Sequence, residues 1–141
     1  MATELIDKFC RLYESLDKHN LDQLGLLYSD DINFIDALHN LNGLDQLSHY
    51  FANLYANLLY CHFSIEQVIE DQGQASVIWI MEYAHPKINK ANAIVVNGCS
   101  HLKYDEKIYY HRDFLDMGQM LYEHLPLLGG VIRTVKKRVV S

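Results

Sequence analysis

Long apolar runs are missing from this chain. No stretch approaches the roughly 20 residues needed to cross a bilayer, so no membrane span is expected. Cysteine is scarce and poorly placed for bridging. Cys10, Cys61 and Cys99 are an odd set, widely spaced and without a CxxC pair. That excludes a zinc or disulfide framework and reads as reduced small hydrophobes in a cytosolic protein. Basic residues are outnumbered, 12 against 18 acidic, for a net charge of −6. A nucleic-acid partner would need a basic face and is not expected. The local exception is Arg133, Lys136, Lys137 and Arg138, which suit the negative end of a helix dipole. The opening MATELIDKFC carries Glu4 and Asp7 where a signal peptide needs positive charge ahead of an unbroken apolar stretch. The expected compartment is therefore the cytoplasm. Repeats, low-complexity runs and linkers are also lacking, and 141 residues fit one domain, 1–141, with a real core.

What the chain has is patterning. Half of its residues are apolar and 21% are charged, a globular composition. Leu5, Phe9, Leu12, Tyr13 and Leu16 recur at helical spacing. Leu21, Leu24, Leu27 and Tyr28 repeat the pattern after a break at His19-Asn20, with Asn20 as an N-cap candidate. INFID then alternates, setting Ile32, Phe34 and Asp36 on one strand face. After Asn42-Gly43, residues from Leu44 to Leu58 mark a third amphipathic helix. From Leu59 to about Leu115 the chain reads as a meander, with turns at Asp71-Gln72-Gly73 and Asp105-Glu106 and a loop around Pro86–Asn92. A helical extension over about 117–140 is interrupted at Pro126–Gly130. Helices first and an antiparallel sheet afterwards predict an α+β fold.

The stretch IYYHRDFLD (Ile108–Asp116) raises the question of chemistry. Its HRD opens a protein-kinase catalytic loop, but that loop continues HRDxxxxN and Gly118 stands at the asparagine position. A metal reading takes His111 and Asp113 as two ligands of a two-histidine-one-carboxylate site. It needs a distal histidine, and only His124 follows. His39, His85 or His101 could substitute, but eight histidines make such coincidences cheap, and no metal or cofactor is expected. Strand alternation gives a third reading, with Tyr109, His111, Asp113 and Leu115 facing one way and Ile108, Tyr110, Arg112 and Phe114 the other. In an apolar cavity, desolvation makes a carboxylate a usable general base. At a solvated sheet edge, Asp113 would merely pair with Arg112 or His111.

The element order, with NLDQLGLLYSDDINFIDALHNLNG (Asn20–Gly43) and GCSHLKYDEKIYYHRDFLDMG (Gly98–Gly118), resembles the nuclear-transport-factor-two-like superfamily of SnoaL-like polyketide cyclases and ketosteroid isomerases. The second stretch is similar to that family's WRDYFD closing strand, with His111 where tryptophan is usual. The resemblance implies a cone-shaped curved antiparallel sheet packed against N-terminal helices, a cystatin-like α+β roll. It places Asp36 at the isomerases' proton-shuttling aspartate and Asp113 at the closing-strand acid or base of cyclases and limonene epoxide hydrolases. The isomerases' oxyanion tyrosine falls at or near Leu12, with Tyr13 one step off, and their second oxyanion donor falls near Ser100.

The expected cavity has Phe34, Asp36 and His39 near its mouth, Tyr50 and Leu54 from the third helix, and Trp79 and Met81 from the central strand. Leu54, Trp79 and Met81 could equally be plain core residues. The expected ligand is a small apolar or carbonyl-containing molecule. Asp113 is the expected acid or base, with His111 and Tyr109 orienting it or stabilising an oxyanion. The other class of function open to this fold is a non-catalytic ligand-binding or protein-interaction module. Ile78, Ile80, Tyr110 and Phe114 on the outer sheet face predict a homodimer.

Overall fold

The computed structural model describes residues 3–121 and 128–140. In chain order it runs α1 (Glu4–Ser15), a 3-10 turn (Leu21–Gln23), α2 (Leu24–Leu27), β1 (Tyr28–Ile35), β2 (Asn40–Asn42), α3 (Leu44–Asn57), β3 (Tyr60–Asp71) and β4 (Gln74–Ala84). A second 3-10 turn (Asn89–Ala91), β5 (Ile94–Tyr104), β6 (Ile108–Leu115), α4 (Met117–Met120) and α5 (Leu128–Val140) follow. His124 and Pro126 lie outside the described residues. Of the expected break at Pro126–Gly130, Gly129 and Gly130 belong instead to the first turn of α5. Among the described residues no helix is long and apolar enough to cross a membrane.

α1 forms because Ile6, Phe9, Leu12 and Tyr13 fall on one face and are buried together. Thr3 caps it by accepting from the Ile6 amide at 3.4 Å, and Glu4 and Asp7 sit at the positive end of its dipole. The expected second helix is cut short: Tyr28 begins β1 instead of closing a helix. Asn20 occupies the N-cap position of the first 3-10 turn, but its side chain folds back and accepts from the Asp17 amide at 2.8 Å.

The six strands lie in the order β2-β1-β6-β5-β4-β3. Every pairing is antiparallel except β1 with β6, which is parallel, so the sheet is mixed rather than the antiparallel sheet the sequence led us to expect. Hairpins fix the direction of β3 through β6. β1 reaches β6 only through the whole chain between them, and no turn constrains that pair to be antiparallel. At the β3–β4 hairpin, Gln72 (φ 43°) and Gly73 (φ 80°) supply the two positive φ values of a primed two-residue turn.

Two local irregularities shape the inner face. Lys103 pairs with Tyr110 and Tyr104 with Ile108, so Tyr109 is an extra residue in β6. The bulge resets the alternation: Ile108 and His111 are fully buried, while Tyr109 is 42% exposed. Across β4 and β5, Trp79 stands opposite Gly98, where an added Cβ would lie 2.2 Å from the indole ring. Glycine is the residue that lets the indole cover this part of the sheet.

Trp79 is the sole tryptophan, so its emission reports directly on that packing. Gly98→Ala should shift it and destabilise the fold by about 1–3 kcal/mol in chemical denaturation, the usual cost of overpacking. An unchanged midpoint with unchanged emission would show that the ring moves aside freely.

Candidate functional site

The site begins with a burial problem. His111 is completely buried, and the rings of Phe9, Tyr13, Tyr28 and Phe34 surround it with centroids 4.6–6.1 Å away. A buried imidazole needs partners for both nitrogens. Nδ1 meets the hydroxyl of Tyr28 at 2.7 Å, and Nε2 meets Oδ1 of Asp113 at 2.6 Å. The sequence supplies the second contact by placing the two residues at i and i+2 on one strand. The parallel pairing of β1 with β6 supplies the first, since Tyr28 lies beside Ile108 at the start of β1.

Hydrogen bonds extend this pair in both directions. The Tyr28 hydroxyl meets that of Tyr13 at 2.5 Å. On the other side, Ser100 donates to Asp113 Oδ1 at 2.5 Å and accepts from Trp79 Nε1 at 2.9 Å. The indole N–H can only donate, so the Ser100 hydroxyl hydrogen is directed at the carboxylate. Both side-chain hydrogen bonds to Asp113 thus fall on Oδ1, and Oδ2 has no such partner among the described residues.

Asp113, 16% exposed at its side chain, lines a largely apolar cavity of about 260 Å³. Phe34, Tyr50, Phe51 and Leu54 wall it on one side, and Phe63, Trp79, Met81 and Tyr83 on another. Met120 and Leu121 close it from the tail, where the Tyr83 hydroxyl donates to the Met120 carbonyl. Among the described residues no lysine or arginine lines it. Cys61 does, but burial pushes its thiol up to about 12, leaving no thiolate near neutrality.

Asp36 also lines the cavity, in a different state. Its Oδ1 accepts from the Leu38 and His39 amides at 2.9 and 2.7 Å and lies 3.1 Å from His39 Nδ1. Its Oδ2 accepts from the Tyr50 hydroxyl at 2.6 Å. With both oxygens engaged, Asp36 closes the turn after β1 and offers little to a ligand.

Phe34, Asp36, His39, Tyr50, Leu54, Trp79 and Met81 are brought together around this cavity with Asp113. His111 lies behind Asp113, and Ser100, 2% exposed, lies beside it and does not line the cavity. Tyr109 is a correction: the bulge turns it away from the His111–Asp113 face, so it cannot orient Asp113 or stabilise an oxyanion there. The residues that sequence reading missed are Tyr28, taken as the last apolar position of a helix, and the link from Tyr13 to it. The available signal was chemical: a buried tyrosine seeks a partner for its hydroxyl. Among the described residues, no group of three or more His, Cys, Asp or Glu is arranged to hold a metal ion.

A family model of the SnoaL-like domain matches residues 9–111. No curated protein matches the chain. Among solved structures, one similar protein is from Catenulispora acidiphila, with a ketosteroid isomerase-like fold and in complex with trimethylamine. It is 16% identical, with 84% of this chain and 90% of that one covered and a TM-score of 0.73. A SnoaL-like polyketide cyclase from Agrobacterium tumefaciens is 15% identical over 84% of this chain and 96% of its own, with a TM-score of 0.71. An LEH-like epoxide hydrolase from M. tuberculosis is 13% identical over 96% and 92%, with a TM-score of 0.67. At these identities the likeness establishes the fold.

Burial pushes the Tyr13 and Tyr28 hydroxyls well above the ordinary tyrosine value of about 10. Because the folded value is raised, their contribution to stability is complete below about pH 10 and is lost as pH rises beyond it. Absorbance near 295 nm should show these tyrosines ionising only together with cooperative unfolding followed by circular dichroism. Reversible ionisation of all ten tyrosines in the folded protein near pH 10 would contradict this burial.

Proposed function

This chain belongs to the SnoaL-like domain family, and from that premise we propose that it binds a small apolar molecule bearing a carbonyl, enol or epoxide and performs acid–base chemistry on it without a cofactor. Asp113 is the acid or base. The observation that carries the reading is the asymmetry of its carboxylate: Oδ1 is held by His111 and Ser100, while Oδ2, beside a largely apolar cavity, has no side-chain partner among the described residues. A fixed carboxylate with one free oxygen has the orientation and dryness that proton abstraction needs. Among the described residues the lining holds carboxylates and no lysine or arginine, which favours a neutral ligand over an anionic one. At about 260 Å³ the cavity is smaller than the roughly 300–1,000 Å³ of drug-sized sites, which suits a compact substrate. The reaction class is isomerisation, aldol-type cyclisation or water addition. A polyketide cyclase and an epoxide hydrolase-like protein among the structural neighbours support that range.

A second reading, ligand binding without turnover, is favoured by the neighbour in complex with trimethylamine. A ring-lined cavity holding a carboxylate also suits a small alkylammonium ion through cation–π attraction.

Native mass spectrometry of gently purified protein would identify a retained ligand. With a substrate in hand, Asp113→Asn preserves shape but removes the base, so kcat should fall by roughly 10²–10⁴ while the ligand still binds. Undiminished turnover would eliminate Asp113 as the acid or base. Tight binding with no turnover in the unaltered protein would leave the second reading.

We also propose a homodimer through the outer sheet face, where Phe114 is 50% and Val95 52% exposed near Ile78 and Ile80. Light scattering should report about twice 16.4 kDa, and charged residues in place of Tyr110 and Phe114 should return the monomer. A 16.4 kDa species for the unaltered protein at micromolar concentration would refute the dimer.

A further inference from the structure

The hydrogen bonds that leave Asp113 return to the cavity. They pass through His111 and Tyr28 to Tyr13, and both Asp113 and Tyr13 line the same space. We infer that these four residues form a relay that moves a proton between Asp113 and the hydroxyl of Tyr13, itself a residue of the cavity lining, with Tyr28 as the positioning residue joining its two halves. The inference rests on the acid–base reading in supposing that a reacting ligand occupies the cavity. The relay itself is a property of the protein without ligand.

Donor direction gives it two states. In both, Trp79 donates to Ser100 and Ser100 donates to Asp113 Oδ1, so this arm does not change. With Asp113 ionised, the Nε2–H of His111 donates to Oδ1, leaving Nδ1 to accept from Tyr28 and the Tyr28 oxygen to accept from Tyr13. With a proton on Oδ1, the second arm reverses. Oδ1–H donates to Nε2, Nδ1–H donates to Tyr28, Tyr28 donates to Tyr13, and the hydrogen of Tyr13 is released toward the cavity.

The two states differ by one proton, and the passage between them balances. Tyr13 gives its proton to an acceptor in the cavity and takes that of Tyr28. Tyr28 takes the proton of Nδ1, and Nε2 takes the proton of Oδ1. The ligand gains a proton, the carboxyl becomes a carboxylate, and the imidazole and both phenols end neutral. Contacts of 2.5, 2.7 and 2.6 Å span the route without a gap. Burial disfavours the phenolate at both tyrosines, so they pass a proton along without storing a charge. The relay therefore lets the proton held on Oδ1 leave through the Tyr13 hydroxyl. The carboxylate this leaves can accept a second proton at Oδ2, so donation and abstraction act at two points of the cavity.

Other titratable groups face this network. Tyr50 from α3 and Cys61 from β3 are shifted upward by burial, as is Cys99 from β5, and all three stay neutral. Asp36 and His39 pair at the mouth, and His85 lines the cavity above β4.

The test follows carbon-13 at the tyrosine Cζ and aspartate Cγ positions by NMR in the full chain, from about pH 8 to about pH 4. In the unaltered protein, the Tyr13 resonance should step at the midpoint read from the Asp113 carboxyl. Tyr28→Phe should abolish the Tyr13 step while the Asp113 titration persists, and Asp113→Asn should abolish it too. If Tyr28→Phe fails to fold by circular dichroism, His111→Gln breaks the same arm and is read the same way. A Tyr13 step that survives Tyr28→Phe reports the field of Asp113 through space and overturns the relay, as does the lack of any step in the unaltered protein. A step that disappears in His39→Gln belongs to the pair at the mouth and also overturns it. Coupled steps in a protein that shows no turnover would sink the functional reading and leave the relay standing.

Discussion

Everything at the site follows from burying one imidazole among aromatic rings. His111 has no contact with water, so each nitrogen must find a protein partner or cost about 1–3 kcal/mol. Tyr28 and Asp113 are those partners, and each creates a further demand. The Tyr28 hydroxyl is itself buried and is completed by Tyr13, while the carboxylate of Asp113 is completed by Ser100, which Trp79 orients. Six side chains from α1, β1, β4, β5 and β6 are thereby tied into one network. A polar chain this deep is tolerable only because each member is hydrogen-bonded to the next. Those bonds hold its geometry.

Rigidity separates the two carboxylates that share the cavity. Asp36 holds a turn: two backbone amides, His39 and Tyr50 leave neither oxygen free, so its charge is committed to local structure. Asp113 has one oxygen engaged and the other without a side-chain partner among the described residues. Position in the family pattern would have treated the two alike. Counting hydrogen bonds per oxygen distinguishes a capping carboxylate from one available for chemistry.

The fold was largely legible because its signals are periodic. The 3.6-residue stripes of α1 and α3 and the alternation of β3, β4 and β5 survive in the structure, and the resemblance carried by Asn20–Gly43 and Gly98–Gly118 placed Asp36 and Asp113 on one cavity. What failed did so where one residue changes the count. A single bulge residue moved Tyr109 off the inner face while leaving His111 and Asp113 on it. Tyr28 was misread because LGLLY continues a helical period, whereas the chain turns to β1 at that tyrosine. The parallel β1–β6 pairing is a non-local choice with no turn to announce it, and it brings Tyr28 to His111 from 83 positions away.

Packing and chemistry meet at Trp79. Its indole occupies the space over Gly98 that any Cβ would take, and that placement carries Nε1 to the Ser100 hydroxyl. The same ring walls the cavity, so it helps set how much room a ligand has. The indole N–H directs the Ser100 hydrogen onto Asp113, and that fixed donor keeps Oδ1 as the oxygen turned toward the protein. Cavity shape and carboxylate orientation are therefore not independent variables here. A change that enlarges the cavity by trimming Trp79 would also release Ser100, and with it the constraint that keeps Oδ1 the oxygen engaged by the protein. In this cone the wall of the cavity is part of its chemistry, and the residue that permits the arrangement is a glycine that touches neither ligand nor proton.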